Sequence, residues 1–196
     1  STGTSASGAP APAGGGTRMV WNPRKSAFRA GQVSASQWDD VNLGRNSVAF
    51  GNSTTASGQF STAFGSGTSA SGDYSNAFGL NTNASAIYAT TFGEGTRASS
   101  NHATAFGQST VASGGGATSF GVLTTASGNN SSAFGFATTA SGTTSSSFGD
   151  NTVAAGTNSL AIGANTNASG AASNAFGKSN TASSFSETVV GIGATT

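Results

Sequence analysis

An apolar residue followed by glycine returns at every fourteenth position along most of this chain, and that period constrains the fold more than any other feature. The apolar positions are Phe50, Phe64, Phe78, Phe92, Phe106, Phe120, Phe134, Phe148, Ile162, Phe176 and Val190. A second column runs in the same register through Ala56, Ala70, Ala84, Ala98, Ala112, Ala126, Ala140, Ala154, Ala168 and Ala182. Self-similarity at a fixed period marks a repeat architecture, and this period is too short for a helix pair or a propeller blade. Two short strands and two tight turns fit it. Each such coil then stacks on the next, with parallel strands hydrogen-bonded along the axis. Glycines after each Phe (Gly51, Gly65, Gly79) and after many Ala-Ser pairs (Gly58, Gly72, Gly114) are expected to give the corners positive φ or close backbone approach.

Composition agrees with stacking and not with a mixed globular core. Leu, Ile, Val and Phe together are under a fifth of the chain, a level typical of disorder. Yet only 7% of residues are charged and the net charge is +1. The self-repulsion that accompanies disorder is therefore absent, and order comes from repetition. There is no cysteine, which excludes disulfides, thiol catalysis and cysteine-ligated zinc. No apolar run reaches the roughly 20 residues of a membrane span, so no direct membrane insertion is expected. The chain begins at Ser1, which reads as loss of an upstream signal or a larger parent.

Three zones follow from this reading. Residues 1–16 are a Gly/Ser/Ala/Pro-rich arm suited to strand addition on a neighbouring subunit, which would link rods end to end. Residues 17–46 hold Trp21, Trp38 and five of the seven basic residues, and are expected to cap the first coil with both tryptophans. Residues 47–196 are the repeats.

Strand alternation in Ser47-Val48-Ala49-Phe50 puts Ser47 and Ala49 on one face and Val48 and Phe50 on the other. A narrow coil has room inside for the small columns, which leaves the Phe column outside. A stripe of exposed Phe is intolerable in a monomer, so three chains are expected to bring these columns together as an oligomer core. The alternative is a monomeric rod with Phe inside. Thr62, Asn76 and Thr90 share the Phe face and would be awkward there.

The segments Ser47-Val48-Ala49-Phe50-Gly51 with Thr55-Ala56-Ser57-Gly58, and Ser159-Leu160-Ala161-Ile162-Gly163 with Ala168-Ser169-Gly170, resemble the YadA-like head repeat of trimeric autotransporter adhesins. The resemblance covers about residues 46–196. It implies an all-β, left-handed parallel β-roll, a solenoid of 14-residue coils assembled as a homotrimer, at the cell surface or at a fibre tip. It further implies attachment to host matrix, other cells or abiotic surfaces. The family usually has an aliphatic residue where this chain has Phe, and these residues include no neck, stalk or anchor, so an autotransporter, a phage or injection-machine fibre and a self-assembling filament all stay open.

No catalytic residue, metal site or cofactor is expected. His102 is the only histidine and shares a turn column with Phe60, Tyr74 and Tyr88, where a surface turn role fits best. Asp39 and Asp40 read as a turn or helix cap before a cation site. No Gly-rich stretch leads into Lys-Ser/Thr and a helix, so there is no phosphate loop. Arg18, Arg24, Lys25 and Arg29 are too few beside neutral repeats to indicate nucleic acid. Two surface sets are contact candidates: the aromatic turn column Phe60, Tyr74, Tyr88 and His102, and Leu80, Val122, Leu123 and Phe136 at the opposite turn. A competing function class is ice binding through the column Thr54, Thr68, Thr82, Thr96, Thr110, Thr124, Thr138, Thr152 and Thr166, which requires those side chains to point outward.

Overall fold

The computed structural model describes residues 13–193. They form two compact units divided between Gly95 and Thr96, both built from the same coil. Residues 1–12 of the expected arm and 194–196 of the repeat zone lie outside the described range. In the first unit, β1 (Gly16–Asn22) and β2 (Ala27–Val33) make an antiparallel hairpin, with Trp21 opposite Phe28 and Met19 opposite Ala30. β2 pairs in parallel with β3 (Val48–Asn52), so that Ala30 aligns with Phe50 and Arg29 with Ala49. β1 thus begins at Gly16, one residue inside the expected arm.

From β3 onward, five-residue strands alternate with two-residue strands, the first of which is β4 (Thr55–Ala56). Long strands Thr62–Ser66, Asn76–Leu80 and Thr90–Glu94 follow, each in parallel register with its equivalent one coil earlier. The second unit repeats the pattern from Arg97–Ala98 to Thr188–Ile192. The protein is therefore an all-β parallel solenoid of 14-residue coils. Among the described residues the only helical turn is a 3-10 turn at Asp40–Asn42.

Ladder bonds run from coil to coil, as in Val48 N to Ser61 O (3.0 Å) and Thr55 N to Thr68 O (2.8 Å). Backbone groups are satisfied along the axis, and the interior needs no bulk. It is filled by the small columns: Ser47 and its equivalents through Ser173, Ala49, Thr54 and Ala56 are buried. Some interior hydroxyls find partners, as where Ser61 Oγ donates to Gly58 O at 2.7 Å.

The corners differ from the sequence expectation in one respect. Left-handed backbone there is mostly supplied by non-glycine residues, such as Ser53 (φ 52°) and Phe60 (φ 56°). Gly51, at φ 117°, lies within the long strand, where a Cβ would stand 1.9 Å from Gly65 O. Gly58 serves close approach alone: a Cβ on it would come 1.9 Å from Gly72 O.

The largest fully buried side chains are Trp38, Arg29, Val33 and Asn22, all in the cap. Trp38 is 1% exposed, and its indole Nε1 donates to Thr54 O at 2.9 Å. Arg29 occupies the interior position aligned with Ala49. Its Nη1 donates to Phe28 O and Ser47 O, and its Nη2 to Ser47 Oγ and Ala56 O, all at 2.8–2.9 Å. Burial lowers the Arg29 pKa from the ordinary guanidinium range to about 10 by desolvating the guanidinium. Trp21 corrects the expectation of a paired cap. It is 44% exposed on the outer face of β1. Only alternate residues of that strand face inward, and Trp21 has the wrong parity.

Candidate functional site

The outer face of the long strands carries the Phe file. Phe64 is 55% exposed, Phe92, Phe106 and Phe120 are also exposed, and the other rings of the file are half-buried. The exterior placement follows from the pleat: Ala49 and its equivalents take the inside, so residues one step along must face out. Successive rings lean on each other, with centroids 6.0 Å apart for Phe50–Phe64 and 4.8 Å for Phe106–Phe120, the latter nearly parallel at 6°. Beside the file runs the glycine track, and the absence of side chains there leaves an apolar groove lined by Phe64, Gly65, Phe78, Gly79 and Phe92. In the long strands the positions flanking the file toward the N-terminus are uncharged, from Val48 through Thr62, Asn76 and Thr90 to Thr188.

One corner column forms an aromatic ladder. Phe60 and Tyr74 stack with centroids 4.9 Å apart and 8° between planes, and Tyr74 and Tyr88 follow at 5.0 Å and 16°. His102 is exposed at the equivalent corner. All four have φ of 56–61°. That conformation is costly for a bulky side chain. Ring stacking, at about 0.5–1.5 kcal/mol per pair, offsets part of the cost.

The second candidate set divides. Val122 and Phe136 are register partners at the ends of adjacent long strands, and Leu123 follows at the corner with φ 58°. Leu80 instead sits between Ser66 and Glu94 on its strand neighbours.

The threonine column is a correction. From Thr54 through Thr166 its side chains are buried at 0–1% exposure and point into the roll, so they present no face to ice. The reason is again parity, since Thr54 and Ala56 alternate inward with Thr55 between them. Asp39 and Asp40 act as local ties: Asp39 Oδ1 accepts from Gly14 N at 2.7 Å, and Asp40 accepts from Asn22 Nδ2 at 3.1 Å and pairs with Lys25 at 3.6 Å. Among the described residues no three metal-ligating side chains converge, and no helix is long and apolar enough to cross a membrane.

The family model for the YadA head domain repeat (2 copies) matches residues 43–68, 112–138, 140–166 and 154–180. The chain carries YadA head repeats. No curated protein matches it. YadA heads are surface-exposed adhesin modules, structural and not enzymatic as a family. The matched segments take in Phe50, Phe64, Phe120, Phe134, Phe148, Ile162 and Phe176, so most of the outer file belongs to matched YadA head repeats. Tyr74, Tyr88, His102 and most of the cap lie outside those segments.

Sequence reasoning missed Arg29 as an interior plug and missed Met19 and Phe28 as outer-face residues. The signal for all three was parity within residues 16–33, which the 14-residue repeat does not cover.

Proposed function

We propose that the chain is an adhesive head module displayed outside the cell, that it works as a homotrimer in which the Phe files of three copies meet, and that it attaches its bearer to host, cell or abiotic surfaces. The observation that carries this reading is the exposed Phe file. At about 200 Å² per ring, partly exposed throughout, the file leaves on the order of 600 Å² of aromatic surface uncovered in one copy. That is the upper end for a monomer and close to the roughly 800 Å² a standard interface takes from each partner. The glycine track beside it supports the same reading, because it gives rings of another copy a place to enter. The aromatic ladder and the Val122, Leu123 and Phe136 patch stay outside the file and are the contact surfaces we assign to adhesion.

The test replaces Phe106 and Phe120 with Ser. Light scattering is expected to show a trimer for the parent and a monomer for the variant, with strand content retained by circular dichroism. Each lost ring removes about 3–5 kcal/mol per subunit if it is buried in the assembly. Beads coated with the parent are expected to stay on matrix-coated or bare plastic under flow. A variant that remains a stable trimer, or a parent that leaves the beads free, overturns the reading.

A further inference from the structure

The cap hairpin has two chemically distinct faces. Inward it places Ala27, Arg29 and Val33, all buried, with both of its strand arginines, Arg18 and Arg29, on the inward parity. Outward it places Thr17, Met19 and Trp21 opposite Gln32, Ala30 and Phe28, without a single charge. Cross-strand partners share a face, and so do partners in a parallel register. The register carries the outer hairpin face straight onto the Phe file: Ala30 aligns with Phe50, and the Phe28 and Phe50 rings lie 5.3 Å apart. Met19 is 76% exposed, the most exposed large hydrophobic residue of the hairpin, and Trp21 stands beside Phe28.

We infer that this outer hairpin face is the N-terminal end of the subunit interface, with Met19 and Trp21 buried against the same hairpin of another copy of this chain. The inference rests on the trimer reading and extends it to non-repeat residues. Two arguments name a second copy as the occupant. The face is continuous in register with the Phe file, so whatever covers the file meets the hairpin next. Met19 and Trp21 add on the order of 250 Å² per copy, which brings the uncovered total to the size of a standard interface, where the file alone falls short. The segregation of charge also fits, since a hairpin facing water has no reason to keep both arginines on its inner parity.

The full chain itself supplies the probe, because Trp38 is buried within one copy while Trp21 is not. Acrylamide quenching of the assembled protein is expected to find both tryptophans shielded, with Trp21 becoming quenchable on dilution to monomer and the W21F variant showing no such change. M19E combined with W21E is expected to weaken assembly roughly tenfold or more, while the monomer keeps its circular dichroism and melting temperature. An assembly that light scattering shows intact, but in which Trp21 quenches freely, overturns the inference and leaves the trimer reading standing. A parent that is monomeric at all concentrations overturns both.

Discussion

The indole N–H of Trp38 donates to the carbonyl of Thr54, 2.9 Å away, and takes the place of a backbone N–H that the first coil has no predecessor to supply. One coil later the equivalent carbonyl, Thr68 O, accepts from Thr55 N at 2.8 Å. Arg29 does the same for Ala56 O, which it shares with Gly44 N, whereas Ala70 O accepts from Ser57 N and Gly58 N. The cap thus closes an open solenoid end with side-chain donors as well as with a strand. That matters because unpaired carbonyls on a sheet edge recruit other strands.

For Trp38, two substitutions separate the bond from the bulk. Trp38→Phe keeps most of the ring but leaves Thr54 O without its donor, and is expected to cost about 1–2 kcal/mol. Trp38→Ala also opens a cavity and is expected to cost about 3–5 kcal/mol. Urea unfolding of both variants checks the order, and equal losses would remove the hydrogen bond from the account.

Arg29 gives a pH signature. Folding lowers its pKa from the ordinary guanidinium range to about 10. Between the folded and the unfolded value the unfolded chain holds more proton, so stability rises with pH there. Below pH 10 both states are charged and the desolvation cost is constant. The stability difference between the parent and Arg29→Met is therefore expected to be flat from about pH 5 to 9 and to move in the parent's favour above about 10. Arg29→Ala, which strips donors from Ser47 O and Ala56 O and leaves a void, is expected to cost about 2–4 kcal/mol at neutral pH. Denaturant midpoints measured across pH read both effects.

Gly121 tests the strand glycines. Its φ of 127° lies where L side chains are rarely found, and a Cβ would stand 2.0 Å from Gly135 O. Neither can relax alone, because the clashing atom belongs to the ladder of the next coil. Gly121→Ala is expected to lose about 3 kcal/mol or more, read as a fall in melting temperature. Gly115→Ala, where the nearest atom is the Asn129 side chain at 3.5 Å, is the control expected to change little.

What was legible in the sequence tracks the repeat. Within it, one parity argument on Ser47-Val48-Ala49-Phe50 placed the columns of the long strand: Ala49 inside, Phe50 outside, with the register of Phe50 on Phe64 fixed by the spacing. The threonine column was readable by the same logic from Thr54 and Ala56, yet a regular array of hydroxyls also suits an external face, and only the buried side chains decide between them. The cap was opaque because residues 16–33 carry no period. β2 stands as a coil ahead of β3, although the step from Phe28 to its partner Val48 is longer than the repeat, so Arg29 has no repeat partner to mark it as interior. The ladder of Phe60, Tyr74 and Tyr88 was visible as a column, whereas its strained backbone was not, since corners of this kind usually call for Gly or Asn.

The buried hydroxyls offer the sharpest internal control. Thr124 Oγ1 and Ser119 Oγ lie 2.7 Å apart, and Thr152 and Ser147 repeat the pair at 2.6 Å. Where the residue five positions earlier is Ala133, the Thr138 hydroxyl is buried with no partner. Burying an unpaired hydroxyl costs roughly 1–3 kcal/mol, while a made bond contributes about 1 kcal/mol. Thr138→Val, which keeps the shape and removes the unsatisfied group, is therefore expected to stabilise the protein by about 1 kcal/mol. Thr124→Val strands Ser119 and is expected to destabilise it by a similar amount. Both variants make the same methyl-for-hydroxyl exchange in one column, so strand propensity, surface charge and assembly cancel between them. Calorimetric melting of both, with the opposite signs expected, tests the interior placement of the whole column. Two shifts of the same sign would mean that the Thr138 and Thr124 hydroxyls share one environment, and the pairing with Ser119 would then carry no weight in holding the coil.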